Sequence, residues 1–174
     1  VSKGKSIQSL DVPVQSIQHI RRITVNEEYG TPQKLFDDAC TKFNLKLEID
    51  LAASDANNVL PHYITKKEDL FTKEITYDSF LNPPYGRVIE KFIRYAFEQH
   101  IKHNVTILML IYSKTDTKWW HKYIEGYAEV HNIKGRIQFN DNNGNPKMLY
   151  DKKTNSWKKG FAPYPSVWAI FRRK

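Results

Sequence analysis

The chain has 174 residues, with 27 Lys and Arg against 19 Asp and Glu, a net charge of +8 and a pI near 9.4. That length suits one domain with a core deep enough for three layers, and the positive balance favours a polyanionic partner. The single cysteine, Cys40, excludes an internal disulfide framework and fits a reducing compartment, while no apolar run reaches the length of a membrane span and no signal-peptide pattern opens the chain.

Residues 1–28 read as an N-terminal arm: polar, rich in Gln and Ser, with Lys3, Lys5, Arg21 and Arg22, and with Ile17, Ile20 and Ile23 at helical spacing. Val1 in place of Met points to a trimmed or processed start. The main domain is read as 29–174. Thr31 before Pro32 reads as an N-cap ahead of a proline at the first helical position, and Leu35, Phe36, Ala39, Cys40 and Phe43 mark a helix to about Lys42. Cys40 within it reads as a packing thiol rather than a nucleophile. Leu45 to Ile49 alternates with strand period and Asp50 ends the run, which puts an acid where an α/β sheet can hold the polar end of a cofactor. Leu51-Ala52-Ala53-Ser54 follows without a glycine, so a dinucleotide fingerprint does not apply, although alanines still permit fairly close backbone approach. Asp69, taken by itself, is a loop carboxylate or a helix cap.

Ser79-Phe80-Leu81 reads as a strand end leading into Asn82-Pro83-Pro84-Tyr85-Gly86. Two prolines in a row forbid a regular helix or ladder strand and hold an extended turn. Such a turn can bring the Asn82 amide oxygen, the Pro83 carbonyl and the Tyr85 ring into one cleft, a set suited to gripping a planar group that carries an NH2. Val88 to Lys102 is an amphipathic helix, with Val88, Ile89, Phe92, Ile93, Ala96, Phe97 and Ile101 on one side, and His100 and His103 read as its solvated end. Val105 to Tyr112 is a nearly continuous apolar run, a central strand buried on both faces. Ser113 to Thr117 makes a loop on the same edge as Asn82. Trp119-Trp120 opens the next helix, and because adjacent indoles of a helix cannot both face a core, one is expected near the cleft or a partner. Ala128 to Ile133 is a further strand, Gly135 to Phe139 turns and continues, and Val167 to Phe171 is a final antiparallel strand. Strands alternating with helices give an α/β fold.

Residues 140–165 differ in character. Asn140 to Pro146 is a dense turn signal, after which Lys147, Lys152, Lys153, Lys158 and Lys159 interleave with Tyr150, Trp157, Phe161 and Tyr164. Cations for phosphates beside rings for bases suit a nucleic-acid surface, and a solvated hairpin insert with satellite aromatics is the plainer alternative.

Asn82-Pro83-Pro84-Tyr85 resembles the catalytic motif of amino methyltransferases, which methylate exocyclic or amide nitrogens with S-adenosylmethionine. Thr31-Pro32-Gln33-Lys34-Leu35-Phe36, Asp50-Leu51-Ala52-Ala53, Asp69-Leu70, Thr115 to Trp120, Gly135 to Phe139 and Pro165-Ser166-Val167 follow in order. Over roughly residues 29–172 the chain is similar to the phage-type DNA N6-adenine methyltransferases. The resemblance implies a three-layer Rossmann-like methyltransferase sheet, mostly parallel with an antiparallel C-terminal strand. It implies transfer from S-adenosylmethionine to the amine of a flipped adenine, with Asn82, Pro83, Pro84 and Tyr85 catalytic. Thr31, Pro32, Asp50, Ala52, Ala53, Asp69 and Asn82 are implied to hold the cofactor, with no metal. Tyr85, Arg136, Lys147, Lys152, Lys153, Lys158 and Lys159 are the expected nucleic-acid contacts. The expected partner is DNA and no membrane, the expected state a monomer or weak homodimer, and the expected location cytoplasmic, in the host if the chain is viral. The same motif also serves RNA and protein-amide methyltransferases, and a catalytically inactive nucleic-acid binder is the rival from another class. The histidines lack metal-finger spacing, no phosphate loop with a following Lys-Ser or Lys-Thr is present, and Ser113 and Ser166 lack a nucleophile-elbow signature.

Overall fold

The computed structural model describes residues 29–174; the expected arm at 1–28, with its isoleucine stripe, lies outside the described residues. Eight strands form in chain order: β1 (Ile49–Ala53), β2 (His62–Thr65), β3 (Ser79–Leu81), β4 (Ile107–Tyr112), β5 (Glu129–Asn132), β6 (Met148–Asp151), β7 (Ser156–Lys159) and β8 (Ser166–Phe171). Six of them make one sheet in the order β2-β1-β3-β4-β8-β5, while β6 and β7 form a separate hairpin. The first four strands in that order pair parallel, and β8 and β5 add antiparallel. The fold is therefore mixed α/β with a mostly parallel sheet and the antiparallel C-terminal strand expected from sequence.

Helix α1 (Gln33–Phe43) and helix α2 (Ile89–His103) cover opposite faces. Phe36 of α1 meets Phe80 at 5.0 Å, and Phe97 and His100 of α2 meet Phe171 at 5.8 and 5.3 Å. Phe80 pairs with Leu108, which pairs with Ile170, so Phe171 points to the other side by alternation. Every residue of β4 and β8 is buried, as both-face coverage requires. Burial of each large aliphatic side chain there stabilises the fold by about 1.5–3 kcal/mol.

Several expected boundaries move. The strand placed at Leu45 to Ile49 begins instead at Ile49, so Asp50 lies inside it rather than ending it. Asn44 takes the left-handed conformation that stops α1, the Leu45 N–H donates to the Cys40 carbonyl at 2.9 Å, and residues up to Glu48 serve as a link. β2 escapes notice in the sequence because it is a four-residue edge strand. Val88, which caps α2 instead of lying within it, and Ile101 are exposed rather than on the apolar side. His100 is buried in place of the expected solvated end: its Nδ1 sits 2.8 Å from the Val105 carbonyl and its ring stacks on Phe171. Trp119 and Trp120 are both buried, against the expectation that one is turned toward the cleft or a partner. The backbone there winds as a π-helix over Trp120–Ile124, closed by the Glu125 N–H on the Trp120 carbonyl at 2.9 Å, and this wider turn lets adjacent indoles share a core. Cys40 is half-buried, and burial together with the Asp37 charge pushes its thiol up to about 11, which keeps it protonated.

Candidate active site at the carboxyl edge of the sheet

Parallel pairing of β1, β3 and β4 brings their carboxyl ends to one edge, and Asn82 follows directly on β3 there. Its side chain is buried, and its Nδ2 donates to the Tyr29 carbonyl and, at 3.0 Å, to Thr31 Oγ1. Both amide hydrogens are thus engaged, which fixes the amide flip and turns Oδ1 away from them. Oδ1 is buried and has no hydrogen-bond partner among the described residues. A buried acceptor left open costs about 1–3 kcal/mol, which makes it a candidate ligand contact. The Pro83 carbonyl lies past the β3 ladder, beside this acceptor in the chain.

Thr31 does not cap α1, contrary to the sequence reading. Pro32 occupies the N-cap position with an extended ψ of 130°, and the Thr31 hydroxyl serves Asn82 instead. Asp50 on β1 is 2% exposed. Its Oδ1 and Oδ2 accept from the Ala52 and Val59 N–H groups, both at 3.3 Å. Burial raises its pKa from 3.8 to about 6, and those two backbone donors only partly oppose the rise.

Tyr29, Gly30, Thr31, Asp50, Ala52, Asn57, Phe80 and Asn82 line one small cleft. Of the residues expected to hold a cofactor, it brings together Thr31, Asp50, Ala52 and Asn82. Pro32 and Ala53 adjoin it in the chain without lining it. Asp69 caps a short 3₁₀ turn at Leu70–Thr72, its Oδ1 accepting from the Phe71 N–H at 3.2 Å. A larger groove of about 390 Å³, lined by residues that include Ile49, His62, Glu68, Lys73 and Tyr77, lies at the amino ends of β1 and β2 and holds none of the expected site residues.

Sequence reasoning missed Tyr29, Gly30 and Asn57, and it read Asn140 as one of the loop amides able to read base edges rather than as a backbone partner of Gly30. Gly30 and Asn140 exchange backbone hydrogen bonds of 3.0 and 2.8 Å. The loop after Asn140 then reaches the β1–β2 turn so closely that a Cβ on Gly144 would meet the Ala56 carbonyl oxygen at 2.6 Å. The turn-rich Asn140 to Pro146 segment is therefore a strap between the cleft wall and the basic hairpin. Asn-Gly chemistry signals a turn, but nothing in it signals where the turn docks.

Tyr85 is buried in an aromatic cluster. Its ring stacks on Tyr112 at 3.9 Å, its hydroxyl donates to the Leu110 carbonyl at 3.0 Å, and burial pushes its pKa well above the ordinary phenol value. One face expected to receive a base is thus covered by Tyr112, and Tyr29 and Phe139 lie tilted at 5.8 and 5.9 Å. Lys147 is half-buried with its ammonium 3.9 Å from the centre of the Tyr29 ring, so it stands at the cleft rather than on the hairpin tip. Lys152, Lys153 and Lys159 are exposed on the β6–β7 hairpin, Lys158 pairs with Asp151 at 2.9 Å, and Trp157 is 66% exposed. Arg136 is exposed, with its guanidinium 3.4 Å from the Ala162 carbonyl. Among the described residues no group of His, Cys, Asp or Glu side chains converges as a metal site, and no helix is long and apolar enough to cross a membrane.

A DNA N-6-adenine-methyltransferase of Haemophilus phage HP1 (strain HP1c1) is 29% identical over 131 residues, which is 70% of this chain and 75% of that protein. The family model described as DNA N-6-adenine-methyltransferase (Dam) matches residues 20–162, a span that takes in the Asn82 motif, the cleft and the hairpin. A family-model match over that span of the chain places it in the DNA N-6-adenine-methyltransferase (Dam) family.

Proposed function

We infer that the protein methylates the exocyclic amine of an adenine rotated out of DNA, with S-adenosylmethionine as the donor held on a Rossmann-like sheet. The observation that carries this reading is the buried, unpartnered Asn82 Oδ1 whose amide hydrogens are both engaged elsewhere. An amine N–H is the partner this oxygen lacks. The cleft residues fit the donor: a buried Asp50 that ionises only at a cost calls for hydroxyl or ammonium donors, and Ala52 leaves room for close approach. When bound, S-adenosylmethionine would supply a methyl group from its sulfonium and leave as the neutral thioether S-adenosylhomocysteine, the methylated amine giving up its extra proton to solvent. The chain's own work is positioning and electrostatics. Asn82 Oδ1 and the Pro83 carbonyl accept from the adenine amine, draw its lone pair out of the ring and stabilise the positive charge that develops on nitrogen. Holding both reactants in near-attack geometry is worth up to ~7–11 kcal/mol in favourable cases. Stacking on Tyr85 would offset part of an unstacking cost of a few kcal/mol once the rings that bury it move aside. The exposed lysines of the hairpin and Lys147 at the cleft supply phosphate contacts.

Incubation of DNA with the protein and methyl-labelled S-adenosylmethionine, followed by digestion and mass analysis, tests the reading: label is expected in N6-methyladenine. Label in RNA or in protein amides and not in DNA would assign the other substrates, and no transfer to any of them would leave a binder.

The hairpin has its own expected result. Replacing Lys152, Lys153, Lys158 and Lys159 by Gln is expected to weaken duplex binding and flatten its dependence on salt, with the log–log slope falling by about 0.9 for each phosphate that a lysine no longer neutralises. Lys158 should contribute least, since Asp151 already neutralises it. Cofactor affinity should hold, because none of the four lines the cleft. Unchanged binding and slope would make the segment a surface hairpin only.

A further inference from the structure

We propose that the hydroxyls of Tyr112 and Ser166 donate hydrogen bonds to ring nitrogens of the target base, so that these two residues determine which base the site accepts. This rests on the methyl-transfer reading above and assigns the base-binding half of the same site.

Tyr112 Oη and Ser166 Oγ are, like Asn82 Oδ1, buried side-chain atoms with no hydrogen-bond partner among the described residues. Their residues are only 4% and 2% exposed. Two unmet donors and an unmet acceptor on neighbouring strands, in a fold that satisfies most of its other buried polar side chains, are consistent with a common occupant.

Register places all three on one face. Phe80 pairs with Leu108, and Leu108 with Ile170. Side chains alternate along strands, so Leu110 and Tyr112 share the face of Leu108, and Trp168 and Ser166 share that of Ile170. Tyr112 and Ser166 are also direct partners in the antiparallel ladder. Asn82, two residues after Phe80, continues the same alternation. The face is the one under α1, fixed by the contact of Phe36 with Phe80. Adjacent strands stand ~4.8 Å apart, so β3 to β8 across β4 spans roughly 10 Å of sheet, the order of a purine's length with its hydrogen bonds, and the rings that now fill the row have to shift for a base to lie along it. The stack of Tyr112 on Tyr85 at 3.9 Å ties this row to the motif.

Polarity then selects the base. Adenine donates from its amine and accepts at its ring nitrogens, which complements an open acceptor at one end and open hydroxyl donors at the other. Guanine would set a carbonyl oxygen against Asn82 Oδ1. Cytosine has an amine but lacks the second ring needed to span the row. Burial drives the Tyr112 pKa far upward, so its hydroxyl keeps the proton it must donate. Tyr164, 47% exposed and 5.4 Å from the Tyr112 ring, covers the outer side, and it sits on the loop that enters Ser166. Entry of a base displaces this ring.

The test measures single-turnover methylation of a duplex carrying a site that the wild type methylates in native DNA. Its target adenine is replaced in turn by 1-deaza-, 3-deaza- and 7-deazaadenine. Wild type, Tyr112→Phe and Ser166→Ala are compared, with S-adenosylmethionine affinity as the control for folding. Tyr112→Phe keeps the ring that stacks on Tyr85. Each variant is expected to slow adenine by up to ~10-fold, the worth of one hydrogen bond. Each should also show no further loss on the one analogue that lacks its partner nitrogen, while wild type loses that factor on the same analogue. Multiplying losses on every analogue, with an active wild type, would overturn the assignment while leaving the methyltransferase reading intact. A wild type that methylates no adenine at all would overturn both.

Discussion

Asn82→Ala is expected to lower the rate of methyl transfer by ~10²–10³-fold, the usual effect of removing one preorganised electrostatic contact made chiefly in the transition state. The side chain also has a second duty. Its Nδ2 holds the Tyr29 carbonyl and Thr31 Oγ1, and both of those residues line the cleft. Truncation therefore loosens one wall, and a loss of a few-fold in cofactor affinity should accompany the loss in rate. Thr31→Val separates the two effects. It removes one of the acceptors that orient the amide and leaves Oδ1 in place, so the rate should fall by about tenfold while S-adenosylmethionine affinity falls no further than in Asn82→Ala, and Thr31→Ser should restore both. Single-turnover rates and calorimetric titrations on the three variants give both quantities. Turnover by Asn82→Ala close to wild type would remove Asn82 from the chemistry. Equal behaviour of the Val and Ser variants would mean that Thr31 does not orient the amide.

What the sequence disclosed and what it hid follow a physical pattern. β4, β8 and the two helices were legible because burial writes itself as apolar periodicity, and the Asn82 turn was legible because two prolines leave few backbone choices. Asp50 was found for its place near the end of the first strand, though the strand itself runs on to Ala53. The errors arise where tertiary contact overrides local rule. Thr31 has every mark of an N-cap, yet its hydroxyl serves Asn82, 51 residues away, and no helix donor. Trp119 and Trp120 break a face rule that assumes α-helical winding, and the chain adopts a π-helix instead. Tyr29 and Asn57 carry no sequence signal, because their roles come from a carbonyl and from an amide closing a turn: Asn57 Oδ1 accepts from the Ser54 N–H at 2.7 Å. Tyr112 and Ser166 are hidden for another reason. Tyr112 reads as one more residue of an apolar strand and Ser166 as part of the closing Pro165-Ser166-Val167 motif, and only the register that sets them side by side exposes two hydroxyls without partners.

Asp50→Asn is expected to exchange ligand affinity for stability, in a way that depends on pH. The Asp50 pKa in the folded chain is about 6, above its ordinary 3.8, because burial penalises the charged form more than the Ala52 and Val59 N–H groups relieve it. A raised value means that the folded state binds the proton more tightly than the unfolded state. The favourable contribution is therefore fully present below about pH 3.8 and is lost as pH rises through about 6. A rise from 3.8 to about 6 corresponds to roughly 3 kcal/mol, so the free protein carries a cost of that order at neutral pH. Asn removes the ionisation but keeps only one acceptor oxygen for two backbone donors, which returns part of the gain. Denaturant titrations at pH 4 and pH 8 should show the variant gaining on wild type as pH rises, by up to about 3 kcal/mol. Ligand binding should run the other way. The ionised carboxylate is the form that accepts from hydroxyl or ammonium donors, so wild-type affinity for S-adenosylmethionine should strengthen between pH 5 and 7, through the Asp50 titration. In Asp50→Asn it should be weaker by about tenfold or more at pH 7, as the loss of a charged hydrogen bond predicts, and nearly flat over that range. Equal affinity in the two proteins would take Asp50 out of the cofactor site, and a stability gap that ignores pH would mean the carboxylate is not held out of water as its burial implies.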